Sequence, residues 1–423
     1  MVTTIDSQPT STWSFDELTT AETQYLTHGY HRYPAKFIPQ LVRQLVEEYS
    51  TPGDRICDPF GGCGTTLVEA KLANRASFGF DINPVAVLIT RAKITAICPD
   101  ALSNKFDRLC NEIKKDPEAI PTTTSSPLRT ERLLYWFGET NLKRLSWIVN
   151  HLKMEEDTAI RRFFLCALSH VLKNCSYWLT TSTKPQKDQD KVPESPDKAF
   201  MTQLSRMIKR NASFSEEIQK LEPNEPLAFM RKADARHLPL PSNCMDLVVT
   251  SPPYSTSYEY PDIHQLTALL FGFCETLSDF RQGFIGCKTG NLHRDELLKN
   301  SKALKAVRDL RMVDNRLGDA VESYFLDMNH VYGEMHRVLR KGRRACIVIG
   351  DTELRGVSVP NAEVAIDQMR KAGFRLEKTI QRPVPGRVLA PYRDRRDGRF
   401  TSADNPNAKK VYSHEYILVL RKK

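Results

Sequence analysis

A hydroxyl, two prolines and an aromatic ring stand in a row at Ser251-Pro252-Pro253-Tyr254, directly after the apolar run MDLVVT (245 to 250). Consecutive prolines end any ladder or helix, fix the backbone and carry no N–H, so a carbonyl such as that of Pro252 becomes a rigid bare acceptor. The Ser251 hydroxyl is a second acceptor beside it, and Tyr254 offers a flat face for stacking. The plain alternative is a type I or II turn plugged by a ring. A second constellation lies upstream, where DPFGGCGTT (58 to 66) puts Asp58 at a strand end, Gly61, Gly62 and Gly64 in the turn, and Thr65 and Thr66 at a helix start. Glycines let a ligand lie against the backbone, and a helix N-terminus offers free N–H donors. Asp81 follows at the tip of the next strand, near the spacing at which nucleotide-binding sheets hold a ribose. The turn is not GxGxxG, because Gly62-Cys63-Gly64 runs into Thr65-Thr66-Leu67, and Asp58 would repel a pyrophosphate. No Gly-Lys-Ser/Thr follows, so a P-loop is excluded as well. An acid in that place suits a positively charged ligand; a tight turn with no ligand is the alternative.

The elements that must position these residues can be read from periodicity. Phe37, Ile38, Leu41, Val42, Leu45 and Val46 recur at helical spacing before Pro52-Gly53. A strand at 55 to 60, a helix through TTLVEAKLAN, a strand at 76 to 82 and a helix through VAVLITRAKI give a strand–helix–strand–helix series, the mark of a parallel sheet covered on both faces. That rhythm breaks over 100 to 230, read as a helical insertion with two Pro/Ser/Thr-rich stretches. Within RRFFLCALSHVLKNCSYW, Phe163, Phe164, Ala167, Leu168, Val171 and Leu172 form an apolar side, and His170 reads as a core histidine. Strands resume at 245 to 250, 343 to 350, 374 to 380 and 414 to 420, the last two as a hairpin, and a helix over 321 to 342 closes at Gly342. The division is therefore a loose arm (1–27), a first half (28–99), the insertion (100–230) and a second half (231–423) with basic loops at 281–320 and 381–412.

The chain of 423 residues, 40% hydrophobic, can fill a real core. No apolar run approaches a bilayer span and the start lacks a basic-then-apolar block, so neither export nor membrane insertion is expected and the cytoplasm is the default. Ten scattered cysteines without a CxxC pair argue for reduced thiols and against a metal site. Lysine and arginine number 61 against 51 acids, a surplus of +10 that fits a polyanionic partner or a merely soluble basic surface.

DPFGGCGTTLVEA followed by GFDINPVAV resembles the S-adenosylmethionine-binding half of amino-group DNA methyltransferases, which methylate N4 of cytosine or N6 of adenine. The resemblance extends to His31-Arg-Tyr33-Pro34-Ala-Lys36-Phe37, to Asp234-Ala235-Arg236 and to Ser251-Pro252-Pro253-Tyr254. It implies a Rossmann-like α/β methyltransferase fold, a mostly parallel seven-stranded sheet with an antiparallel C-terminal hairpin. It also implies S-adenosyl-L-methionine as cofactor. Tyr33, Pro34, Lys36 and Phe37 would enclose its methionine end; Asp58, Phe60, Gly61, Gly62, Gly64, Thr65 and Thr66 would surround it. Asp81, with Ile82 and Asn83, would hold the ribose, and Asp234 with Ala235 would meet the adenine. Ser251, Pro252, Pro253 and Tyr254 would form the catalytic pocket, entered by a base flipped from the duplex.

Within that family serine at the first motif position goes mainly with N4-cytosine, and aspartate or asparagine with N6-adenine, so the expectation is N4-cytosine with N6-adenine as the alternative. Carbon-5 methylation needs a thiol in a Pro-Cys context, which the chain lacks. An RNA guanine-N2 methyltransferase shares a DPF-glycine loop but usually has Asp-Pro-Pro-Tyr-Gly, whereas here Ser251 leads and Ser255 follows. A non-catalytic DNA-binding module is the remaining alternative. The expected partners are double-stranded DNA and, for a restriction-modification role, a cognate endonuclease. Arg382, Arg387, Arg393, Arg395, Arg396 and Arg399 outnumber Asp394 and Asp397 in one loop and are the expected phosphate contacts, a solvated charged loop being the alternative. The insertion is the candidate for target recognition, and the class order of the motifs stays open.

Overall fold

The structure, a computed structural model, describes residues 13–34, 36–113, 127–221, 225–255, 259–286, 296–383, 392–394, 400–410 and 414–423. In chain order its first half comprises α1 (Pro39–Tyr49), β1 (Arg55–Asp58), α2 (Thr65–Leu72), β2 (Ala76–Asp81) and α3 (Pro84–Ile94). Four helices follow: α4 (Pro99–Ile113), α5 (Pro127–Lys153), α6 (Thr158–Val171) and α7 (Pro196–Gln219). Then come β3 (Ala228–Lys232), β4 (Met245–Thr250), α8 (Tyr260–Phe271), α9 (Leu277–Arg281), α10 (Ser301–Arg311) and α11 (Asn315–Val338). The chain ends through β5 (Leu339–Ile349), β6 (Thr352–Leu354), β7 (Val357–Val359), α12 (Asn361–Lys371), β8 (Phe374–Pro383), β9 (Tyr392–Asp394), β10 (Phe400–Thr401), β11 (Ala408–Lys410) and β12 (His414–Lys422).

Seven strands form one sheet in the order β3-β2-β1-β4-β5-β12-β8. Neighbours from β3 to β5 run parallel, and β12 alone is antiparallel, wedged between β5 and β8. This is the expected Rossmann-like sheet with its C-terminal hairpin. Because side chains alternate across a strand, Ile56, Leu247 and Val249 join Leu41, Val42 and Leu45 of α1 in one core, while Cys57 and Val248 join Val331 and Met335 of α11 in another. Every residue of β4 is buried, as a central strand covered on both faces must be. The loop order places the ends of β1, β2 and β4 side by side, at the reversal of strand order where such sheets bind ligands.

Four sequence expectations need correction. Residues 13–27 are not a loose arm: Trp13 is 3% exposed in the core under α1, and Thr27 is fully buried. The insertion stops short of 230, because Ala228–Lys232 pairs parallel with β2 as the sheet edge. Gly342 does not close a helix; α11 ends at Val338, and Gly342, with φ of +78°, sits inside β5 where its register to β4 shifts. The two basic loops carry structure of their own, α10 in the first and the small sheet β10-β9-β11 in the second. Among the described residues no helix is long and apolar enough to cross a membrane.

Candidate active site

β1 delivers Asp58 to the sheet edge with its side chain turned inward. Its Oδ1 accepts from the Phe60 N–H at 3.0 Å and from the Thr250 hydroxyl at 2.7 Å. That second bond ties the end of β4 to the end of β1, so Ser251 begins directly beside the glycine loop. Burial raises the Asp58 carboxyl to about 6, against the pull of these donors. Asp81 closes the loop from the other side, its Oδ2 accepting from Gly62 N–H at 2.9 Å and its Oδ1 from Asn83 N–H at 2.8 Å. It too is raised to about 6 by burial, with the nearby Asp58 adding to the shift.

The loop between them is held by its carbonyls. Thr90 donates to Gly62 O at 2.7 Å, and the buried Lys93 ammonium donates to Cys63 O at 2.9 Å. Gly64 caps α2 in the left-handed region at φ +80°, and a Cβ there would lie 2.6 Å from Thr90 Cγ2. Only glycine fits. Asn83 caps α3 by accepting from Val85 N–H at 2.9 Å and passes its amide N–H to His264 Nδ1 at 2.7 Å. Burial drives His264 down to about 3, so it is neutral and orients Asn83 without carrying charge.

These elements enclose a cavity of about 850 Å³, its solvent mouth included. Tyr33, Lys36 and Phe37 form one wall; Asp58, Phe60, Gly61, Gly62 and Thr65 form the floor; Asp81, Ile82 and Asn83 with Asp234 and Ala235 form the far side. Ser251 and Pro253 line the same cavity. The Ser251 hydroxyl makes no hydrogen bond to a described residue. Lys36 is half-buried, and its desolvation lowers it to about 8; it donates to His28 O at 3.2 Å. Asp234 is already engaged: Arg236 takes both its oxygens, reaching Oδ2 at 2.6 Å, and ties it to Asp327.

Five expected residues stand off the cavity wall. Pro34, Gly64, Thr66 and Pro252 are set behind it, Gly64 and Thr66 building the turn of α2. Tyr254 lies beyond Pro253, its ring against Gly350 and its hydroxyl 3.4 Å from Glu415 Oε2. The expected DNA contacts fare differently. Arg387, Arg395, Arg396 and Arg399 lie outside the described residues, and of Arg393 only its backbone place on β9 is described. Arg382 contradicts the expectation: it is 2% exposed and pairs with Glu415 at 3.2 Å, so no phosphate reaches it.

Sequence reasoning missed Pro59 and Cys63, inside the quoted motif, and Tyr260, Gly283, Phe284 and Ile285, which also line the wall. Tyr260 stacks on Tyr33 with centroids 6.0 Å apart. Its position at the start of a helix six residues past the motif was a weak signal; the 283–285 segment carries none. The two acids and the glycine cradle fit a cationic nucleoside such as S-adenosylmethionine. When bound it would supply an electrophilic methyl group.

Residues 3–91 match the family model described as DNA methylase. The type II methyltransferase M.MvaI of Kocuria varians is 25% identical over 392 residues, 87% of this chain and 86% of its own. M.BsoBI of Geobacillus stearothermophilus, also a type II methyltransferase, is 24% identical over 400 residues, 79% of this chain and 75% of its own. A SAM-dependent methyltransferase of Methanosarcina mazei superposes at a TM-score of 0.32 with 8% identity, covering 93% of this chain and 98% of that one, too loosely to add to the fold described above. The matched segment holds the 31–37 wall, the glycine loop and Asp81, and the two relatives align over 87% and 79% of the chain, so the chain is similar along most of its length to type II DNA methyltransferases, and its cavity fits S-adenosylmethionine as methyl donor.

Proposed function

We propose that the protein methylates the exocyclic N4 of a cytosine flipped out of duplex DNA, as the modifying enzyme of a type II restriction-modification pair. The observation that carries this reading is the Ser251 hydroxyl, which makes no hydrogen bond to a described residue, on the wall of the cavity that Asp58, Asp81 and the glycine loop enclose. An exocyclic amine is a poor nucleophile because its lone pair is delocalised into the base. The Ser251 oxygen on the wall, with the Pro252 carbonyl next to it in the chain as the second acceptor although the Pro252 ring stands behind the wall, would accept hydrogen bonds from its two protons, favour a pyramidal nitrogen and offset its growing positive charge. The N–C bond forms as the methyl leaves sulfur, and one amine proton passes to solvent.

Pro252 and Pro253 hold the acceptors in place, so orientation contributes much of the acceleration. Tyr254 packs its ring against Gly350 beyond Pro253, so it would stack the flipped base only where the base passes the cavity wall, a contact worth roughly 1–3 kcal/mol by analogy with single-strand binders. Tyr33 and Tyr260, stacked in the wall, would exclude water from the methionine end, and Asp81 would accept the ribose hydroxyls. Serine at position 251 favours cytosine N4 over adenine N6. The names of the two relatives motivate the restriction-modification role and an endonuclease with the same target. Incubation with tritiated S-adenosylmethionine and genomic DNA, followed by digestion to nucleosides, should yield labelled N4-methylcytosine. Label found in N6-methyladenine alone would reassign the amine, and no label in DNA, with label in RNA supplied in a parallel reaction, would overturn the reading.

A further inference from the structure

Several basic side chains of the helical insertion are neutralised: Lys105 pairs with Glu155 at 2.9 Å, Arg129 with Glu275 at 3.3 Å and Arg144 with Asp197 at 2.7 Å. Arg32, Arg132, Lys173, Lys187 and Lys191 pair with no carboxylate among the described residues. Their ammonium and guanidinium groups rest instead on rings and carbonyls. Lys187 lies over the Tyr135 ring at 4.3 Å and the Tyr177 ring at 5.2 Å, and Arg132 lies over Tyr135 at 5.5 Å. Lys173 donates to Thr180 O and Ser182 O at 2.9 and 2.7 Å, while Lys191 donates to Lys173 O and Trp178 O at 2.8 and 2.7 Å. Such contacts satisfy hydrogen bonds and leave the positive charge in place. Lys173 is lowered to about 8, by burial first and then by Lys191 and Arg32.

This group borders the cavity at two points. Arg32 precedes Tyr33 of the cavity wall, and its N–H donates to His170 Nδ1 of α6 at 3.2 Å. Arg132 donates to Gln265 Oε1 at 3.0 Å, one and a half turns along α8 from Tyr260, another wall residue. Cations that make no carboxylate ion pair among the described residues, interleaved with tyrosines of which Tyr135 is 45% exposed, match a polyanion with a flat-faced repeat. Resting on the DNA-methylating reading above, we propose that this cation–tyrosine face grips the sugar–phosphate backbone of duplex DNA beside the cavity mouth. It thereby holds the strand from which the base is flipped.

The face contacts phosphates rather than base edges, so it is tested on a random-sequence duplex. Fluorescence anisotropy of a labelled duplex, titrated across a salt series, compares wild type with the R32Q/K187Q double variant; neither side chain lines the cavity or holds a carbonyl. Each lost phosphate contact removes about 0.9 from the slope of log K against log salt, so the slope should become shallower by about 2, with R32K/K187R restoring it. K105Q/K143Q removes the same formal charge from lysines paired with Glu155 at 2.9 Å and with Glu139 at 2.8 Å and should leave the slope as it is. Cofactor binding by tryptophan quenching shows that each variant is folded. An unchanged slope in R32Q/K187Q, or an equal loss in K105Q/K143Q, overturns the proposal. Wild-type methyl transfer to DNA, measured separately, reports on the reading beneath it: transfer with an unchanged slope sinks the face alone, and no transfer sinks the reading.

Discussion

At the scale of single residues, the 2.7 Å bond from Thr250 to Asp58 joins the methyl-transfer motif to the cofactor floor. Ser251 is the next residue, so its oxygen is set by two strand ends and moves with neither alone. Ser251→Ala should lower the single-turnover rate by about 10² to 10³, the usual cost of one oriented charge-stabilising group, with S-adenosylmethionine affinity within about twofold of wild type by calorimetry. The two buried acids give a pH signature. Both are raised from 3.8 to about 6 by burial. Between those values the folded chain keeps protons that the unfolded chain has released, so their contribution to stability is full below the unfolded pKa and is lost as pH rises through about 6. A cationic ligand favours the ionised forms. Its affinity should fall below about pH 6, by up to about tenfold per pH unit for each carboxylate, with proton release measurable by calorimetry in buffers of different ionisation enthalpy. The residues behind both predictions were legible because each motif is contiguous in sequence. Phe284 and Ile285 were not, since they reach the cavity only through the folding of a segment without a motif.

At the scale of elements, the seam between β8 and β12 shows why one arginine differs from its sequence neighbours. β8 extends to Pro383, and its alternation turns Ile380 and Arg382 inward, so Arg382 is a strand residue rather than part of a basic loop. Its guanidinium meets Glu415 of β12 at 3.2 Å, and the other oxygen of Glu415 faces the Tyr254 hydroxyl at 3.4 Å. Burial raises Glu415, and Arg382 opposes that rise. Arg382→Met strands a buried carboxylate and should destabilise the protein by about 3–5 kcal/mol in urea unfolding, whereas R382M/E415Q should recover most of the loss. If Arg382 were a DNA contact, the single variant would alter the salt dependence of binding and leave stability unchanged. The central strands were legible from their continuous apolar runs. β3 was not, because as an edge strand it buries only Met230 of its five residues and shows no apolar run. The helix end at Val338 was hidden because Gly342, a usual helix terminator, here bends a strand.

At the scale of the whole molecule, the insertion looks separable in sequence and is joined in space. One apolar cluster takes Val85 and Ile89 from α3, Leu145 and Ile148 from α5, Phe163 and Leu168 from α6, Phe200 from α7, and Leu266 and Leu269 from α8. The cofactor half and the catalytic half therefore each bury a helix face against the insertion, and His31 reaches across to Ser169 at 2.9 Å. Sequence could mark the insertion's helices from their spacing but not their partners, because α3 and α8 present apolar faces that would suit many neighbours. A shared core should unfold as one unit. Calorimetry should give a single transition with calorimetric and van't Hoff enthalpies in agreement. Phe163→Ala, which empties a fully buried ring site in the insertion, should shift that whole transition downward by an amount corresponding to about 3–5 kcal/mol, with cofactor binding lost in the same step. An early transition that leaves S-adenosylmethionine binding intact would show instead that the insertion melts alone, and that α3 and α8 keep their structure without it.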